Sequence, residues 1–189
     1  MEFKDNLDDI SRVISNDGVI LYPTDTIWGL GCNPFSEIAV KKLYQIKKRD
    51  TSKPLILLVN GLEMLKAYVN EIHPRIETLL VYHHKPLTVI YPQAKNIPNW
   101  VLGNQQSVAI RIPDDPFCLA LITNLNQPIC SSSANFSGTE NNGTFSDIDP
   151  KLIKQCDYVS QHRQNDLSIS TPSVLVTYDK KGNLDFLRT

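Results

Sequence analysis

Apolar and polar residues fall in blocks along this chain, and the blocks switch between two periods. Over residues 5–15, Leu7, Ile10, Val13 and Ile14 recur on one side of a helix, which predicts an amphipathic α-helix. GVILYP at 18–23 is wholly apolar and ends on proline, as a strand buried on both faces would. TDTIWGLGCNPF follows, polar and glycine-rich, and reads as loop. Ser36 then caps a predicted helix over 37–48, with Ala39, Leu43 and Ile46 as its apolar face and Val40 and Tyr44 widening it. PLILLV at 54–59 reads as another buried strand, and two helical patterns lie near 61–70 and 74–83. Strands are predicted at 86–92 and 107–113, a helix at 115–125, and a strand running into loop at 127–135. Residues 136–149, rich in Asn, Gly, Thr and Ser, read as loop, and their composition suits a lid. SVLVTYD and NLDFLR predict a closing hairpin across residues 179–183. Strands alternating with helices predict a single α/β domain over 1–189, with a mixed sheet because its last pair is antiparallel.

Composition narrows the function more than the fold. The 189 residues are 41% apolar and 21% charged, as in ordinary globular proteins, and the formal charge is −1. That balance excludes a general nucleic-acid coat or a polybasic membrane binder, so any attraction for an anion is local. Cys32, Cys118, Cys130 and Cys156 form no CxxC pair and read as reduced, mostly buried thiols of a cytoplasmic protein. The N-terminus carries acidic residues and no apolar core, so it does not read as a signal peptide, and no run approaches the ~18 apolar residues of a membrane helix.

Four stations carry candidate chemistry, each at or near the end of a predicted strand. In YPTDTIWGLG, a strand delivers Thr24, Asp25 and Thr26 to a loop, where α/β sheets bind ligands; an ordinary capped turn is the plainer reading. In KKRDTSKPL, Lys47 and Lys48 suit a solvated helix end, whereas Arg49 and Lys53 flank a short loop before a buried strand. Arginine there can grip a phosphate with two N–H groups and lysine acts as a point charge. In SVAIRIP, Arg111 interrupts an apolar strand, either as a structural ion pair or as a clamp for a carboxylate or phosphate. In CSSSANFSGTENNGT, hydroxyls, an amide and a flexible turn make either a polar loop or a nest of donors for an anion. There is no GxSxG elbow, no GxxxxGK[ST] loop, and no placed partner for His73, His83, His84 or His162. Together the stations predict a small, anionic, phosphate-bearing ligand.

In this order and spacing, YPTDTIWGLG, IKKRDTSKPL, SVAIRIP and SSSANFSG resemble the YrdC-like domain of threonylcarbamoyl-AMP synthases, from about Gly18 to Arg188. The resemblance implies one α/β domain with a twisted mixed sheet and flanking helices around a positively charged groove. It implies synthesis of L-threonylcarbamoyl-AMP from L-threonine, bicarbonate and ATP with release of pyrophosphate, and Mg2+ accompanying the ATP. The product would serve threonylcarbamoyl modification of adenosine 37 in tRNAs reading codons that begin with A, through downstream transferase proteins. Contact with tRNA or double-stranded RNA is a further implied property.

Residue by residue, the resemblance assigns Lys47 and Arg49 to catalysis. It assigns Arg49, Lys53, Ser107, Asn135, Thr144 and Arg188 to ATP, and Thr26, Arg111, Ser133 and Ser173 to threonine, with no protein metal ligand. Lys48 is left to solvent. Three positions depart from the pattern: Trp28 replaces a commoner tyrosine, His83-His84-Lys85 replaces a commoner Trp-Pro-Gly at the groove rim, and Leu58 stands where some relatives place a histidine. Two rival readings remain: an RNA-binding module without catalysis, and another adenylating or carbamoylating enzyme on the same domain.

Overall fold

Short polar side chains start the helices where the sequence predicts them. A computed structural model describes residues 3–102, 106–139 and 143–189. The elements are α1 (Leu7–Ser15), β1 (Ile20–Tyr22), β2 (Gly29–Cys32), α2 (Glu37–Lys47), β3 (Ile56–Leu58), α3 (Leu62–Lys66), α4 (Pro74–Tyr82), β4 (Leu87–Tyr91), α5 (Asn99–Leu102), β5 (Val108–Arg111), α6 (Pro116–Leu125), β6 (Ile129–Ser133), α7 (Pro150–Ile153), β7 (Tyr158–Val159), β8 (Val174–Tyr178) and β9 (Leu184–Arg188). Asn6 accepts from the Asp8 amide, Ser36 from Ala39 and Asp115 from Cys118, each relieving an orphan donor at a helix start.

The nine strands form one mixed sheet in the order β7-β1-β2-β6-β3-β5-β4-β8-β9. β3 and β5, β4 and β8, and β1 and β7 run parallel, and the other neighbours run antiparallel. The closing hairpin is β8–β9, as the sequence predicts.

β2 is the main correction. The segment predicted as loop holds a four-residue strand, buried throughout, between β1 and β6. Its glycines are what make it a strand here. A Cβ on Gly31 would sit 2.7 Å from Tyr22 Cε1, and one on Gly29 3.2 Å from Ser131 Oγ. The missing side chains leave room for the Tyr22 ring, whose hydroxyl donates to Ser131 Oγ at 2.8 Å. α5, α7 and β7 are also absent from the sequence reading, and α3 ends at Lys66, short of the predicted helix.

The two faces of the sheet are covered unequally. Side chains alternate along each strand, so Leu57, Ile110 and Cys130 share one face with Leu21 and Leu30. That face packs against α2, α3, α4, α5 and α7 in the larger core. On the other face Ile20, Tyr22, Leu58 and Ile129 meet α1 and α6 through Ile10, Ile14, Phe117, Cys118, Leu121 and Ile122, with Met64 of α3 at the margin. Over the remaining stretch of that face, across β6, β3, β5, β4 and β8, no helix of the described residues packs in either core cluster.

Candidate active site

The uncovered face is the floor of a cavity of about 420 Å³. Register explains who lines it. Ile56 pairs with Ala109 and Ser131, and Leu58 with Arg111, so these residues form one row pattern on the same side of the sheet. Ile90 and Leu175 extend the apolar floor. The walls bring together Thr26, Arg49, Lys53, Arg111, Ser133, Ser173 and Arg188, seven of the residues singled out in the sequence. Leu58 and Trp28, two of the departures from the family pattern, also line it.

The loop after β1 is organised by a hydroxyl relay. Thr24 Oγ1 accepts from the Thr26 amide at 3.0 Å and donates to the Ile27 carbonyl at 2.9 Å. Its single proton is thereby used, so in the 2.9 Å contact between the two threonines Thr26 is the donor. Thr26 Oγ1 in turn accepts from Arg111 Nη1 at 3.0 Å. Its remaining lone pair can serve only a donor, such as a ligand N–H.

Arg111 answers both alternatives raised by its sequence. It is 5% exposed and ion-paired, with Nη1 3.1 Å from Asp25 Oδ1, and it also lines the cavity.

A left-handed residue aims Arg49. α2 ends with Lys48 at φ 50°, and the Arg49 amide bonds back to the Tyr44 carbonyl. Glycine usually takes that position. Arg49 Nη2 donates to the Pro54 carbonyl at 3.0 Å, while its Nε is buried with no hydrogen-bond partner. Across the cavity, Arg188 donates from Nε to the Ser173 carbonyl at 2.9 Å and from Nη2 to Ser173 Oγ at 3.3 Å. Ser173 is itself held by Thr88 Oγ1 at 2.7 Å. Burial, and then the charge of Arg111, pull the Arg188 guanidinium below its ordinary pKa.

Lys47, Ser107, Asn135 and Thr144 lie outside the set that lines the cavity. Lys47 is 2% exposed and works from behind the wall. Its ammonium donates to the Ser133 carbonyl and, at 2.8 Å, to the Asn135 carbonyl, and its own carbonyl accepts from the Ser137 amide at 2.9 Å. Burial, and then Arg49, bring its pKa down to about 7. Asn135 donates to the Phe136 carbonyl at 3.2 Å, and Thr144 donates to Asp147 at 2.6 Å. Ser107 is half-buried just before β5. Lys48, assigned to solvent by its sequence, is exposed but places its ammonium 4.9 Å from the Phe136 ring.

Of the segment read as a lid, residues 140–142 lie outside the described residues, and Phe145–Asp147 form a short 3-10 turn. Phe145 packs on Trp28, with ring centroids 4.9 Å apart. Ser131 was not singled out on its own, although its spacing of two from Ser133 on a strand puts both on one face.

Comparison with known proteins bears on the sequence and the fold. The family model for the Sua5/YciO/YrdC domain, described as "Telomere recombination", matches residues 12–189. A threonylcarbamoyl-AMP synthase of Escherichia coli O6:H1 (strain CFT073) is 36% identical over 129 residues, 67% of this chain and 68% of the relative. One from Xanthomonas campestris pv. campestris (strain B100) is 32% identical over 170 residues, 88% of this chain and 91% of the relative. The crystal structure of P. abyssi Sua5 complexed with L-threonine superposes with a TM-score of 0.83 at 25% identity over 96% of this chain. It covers only 53% of that protein, so this chain spans about half the length of Sua5. On the family model and these relatives, the chain belongs to the Sua5/YciO/YrdC family.

Proposed function

We propose that this chain joins L-threonine, bicarbonate and ATP into L-threonylcarbamoyl-AMP and releases pyrophosphate. The observation that carries the reading is the lining of the cavity. Arg49, Lys53, Arg111 and Arg188 surround it without a single carboxylate among the described lining residues. Cations gathered this way repel one another, and a polyanion relieves that repulsion. The relatives named threonylcarbamoyl-AMP synthase and the threonine complex of Sua5 support the choice of substrates.

In this reading Arg111 takes the threonine carboxylate, Thr26 accepts from its amine, and Ser133 and Ser173 complete that end. Arg49, Lys53 and Arg188 take the triphosphate. The threonine amine and bicarbonate form a carbamate with loss of water. A carbamate oxygen then attacks the α-phosphorus, and pyrophosphate leaves. No enzyme nucleophile is required. What is required is alignment of two anions, exclusion of water from a labile carbamate, and cations that stabilise the developing charge. The apolar floor of Ile56, Leu58, Ile90, Ala109 and Leu175 suits the second need. Lys47 holds the Ser133–Asn135 wall in place, and Ser107, Asn135 and Thr144 flank the nucleotide end.

The described residues contain no group of three or more His, Cys, Asp or Glu side chains that could hold a metal. In this reading Mg2+ enters with ATP as part of the substrate. In this reading the product, a reactive mixed anhydride, passes to transferase proteins that modify tRNA in the cytoplasm. No helix among the described residues is long and apolar enough to cross a membrane.

Pyrophosphate release by the purified protein, with threonine and bicarbonate each present or omitted, tests the reading. Release that requires both is expected. Release that ignores both, or none beside tight RNA binding, would overturn it.

A further inference from the structure

Arg111 and Asp25 form a wall between two cavities. Arg111 faces the substrate cavity, whereas Asp25 lines a second one of about 620 Å³ behind it, with Asn60, His83, His84, Lys85 and Asp114. Both side chains are nearly closed off, 6% exposed for Arg111 and 9% for Asp25. Among the described residues this is the one ion pair Arg111 makes.

The contact has an unusual form. Asp25 Oδ1 lies 3.1 Å from Arg111 Nη1 yet makes no well-formed hydrogen bond, while Nη1 donates to Thr26 Oγ1 at 3.0 Å. Asp25 Oδ2 accepts from the Asp114 amide at 3.1 Å, which ties the carboxylate to the chain just beyond β5. The carboxylate therefore acts on Arg111 through charge, from a fixed post, while Thr26 supplies direction. A guanidinium pinned at one nitrogen by two neighbours cannot swing its fork, and two-point recognition of a carboxylate depends on that fork.

We propose that Asp25 is a positioning residue, whose negative charge sets the Arg111 fork for the carboxylate of the amino-acid substrate. The proposal rests on the synthase reading for the identity of that substrate. It assigns Asp25 no contact with either substrate. It also explains the acidic residue between Thr24 and Thr26: the threonines organise the loop and the charge orients the arginine. His83, His84 and Lys85 line the second cavity with Asp25, and Asp115, the N-cap of α6, is engaged by Arg163 at 2.7 Å. Among the described residues Asp25 makes no ion pair other than that with Arg111.

The test uses the full chain and three proteins, wild type, Asp25→Asn and Asp25→Glu. Asparagine keeps the shape and the acceptor for Asp114 but removes the charge; glutamate keeps the charge. The expected result is a threonine KM raised about tenfold or more in Asp25→Asn, with the ATP KM within about twofold, since loss of one partner of a buried charge pair falls on the ligand the other must bind. Asp25→Glu should recover most of the threonine KM. An unchanged threonine KM, or threonine and ATP constants rising together with a fall in Tm, would mean a merely structural ion pair and would overturn the proposal. If the wild type shows no threonine-dependent release, the synthase reading fails separately. The role of Asp25 is then read from side-chain NMR of Arg111. Restricted rotation of its Nη groups in wild type and free rotation in Asp25→Asn is expected; identical rotation in the two proteins would overturn it.

Discussion

Lys47→Met removes a buried ammonium together with its bonds to the Ser133 and Asn135 carbonyls, and the pH dependence of its effect is calculable. In the folded chain burial, and then the charge of Arg49, hold the Lys47 pKa at about 7, against an ordinary value of 10.5. Between those two values the unfolded chain carries a proton that the folded chain does not. Stability therefore rises with pH across that window and is flat below it. The full separation corresponds to on the order of 4–5 kcal/mol, of which on the order of 2–3 kcal/mol is realised by pH 9. Methionine has no proton to lose, so Lys47→Met should lack this rise. Urea unfolding of both proteins from about pH 6 to about pH 9 measures the difference, because every other titrating group is shared. Two contacts work against the argument: the carbonyls of Ser133 and Asn135 both favour the charged form. If they dominate, the two stability curves run parallel over the whole range. That outcome would refute the claim that burial governs this lysine.

Other expectations follow from the same coordinates. Arg49→Ala should weaken ATP binding about 10–100-fold with a smaller change in threonine KM, since charge-assisted hydrogen bonds are worth about 1.5–3 kcal/mol; equal losses would contradict the assignment. Arg111→Ala should reverse that pattern and cost on the order of 3–5 kcal/mol of stability as well, because it strands the buried Asp25, and a denaturation curve separates the two effects. Asp5 accepts from Tyr158, Ser160, Gln161 and His162 at 2.7–2.8 Å. Burial raises its pKa, but these donors outweigh it and hold the carboxyl below its ordinary value. Asp5→Asn should cost about 2–4 kcal/mol at neutral pH, and the gap to wild type should close as pH falls through the lowered pKa; a gap that persists in acid would contradict this. Gly182 stands at φ 76° with room for no Cβ, which would lie 2.3 Å from the His73 ring. Gly182→Ala should lose about 1–3 kcal/mol, read from the shift in Tm.

Much of the architecture was legible because it follows burial. The apolar runs at 54–59, 86–92 and 107–113 became β3, β4 and β5, and Ser36 and Asp115 mark helix starts that the structure retains. β2 was not legible for a definite reason. Its glycines look like loop punctuation, and the Tyr22 ring, with Ser131 and Ile129 beside it, makes small residues a packing requirement. That ring is seven residues away in sequence from Gly29, on a neighbouring strand, and no local pattern encodes the contact. β7 is two residues long and owes its position to pairing with β1, so local propensity carries almost no signal for it.

The site was legible for a different reason: its residues break the pattern of the elements that carry them. Arg111 is a charge in an apolar strand, Ser131 and Ser133 are hydroxyls on the inner face of another, and Lys48 is a non-glycine residue in a left-handed turn. Each break costs stability unless something compensates it. Arg111 has Asp25 and Thr26, and Ser131 has Tyr22. Arg49 Nε has no partner at all. What sequence could not supply was the division between residues that face the cavity and residues that hold them there. Lys47 and Arg49 are two positions apart and equally basic, yet the first is bonded behind the wall and the second opens into the cavity. One turn of backbone at Lys48 separates those fates, so equal charge in the sequence does not imply equal access to the ligand.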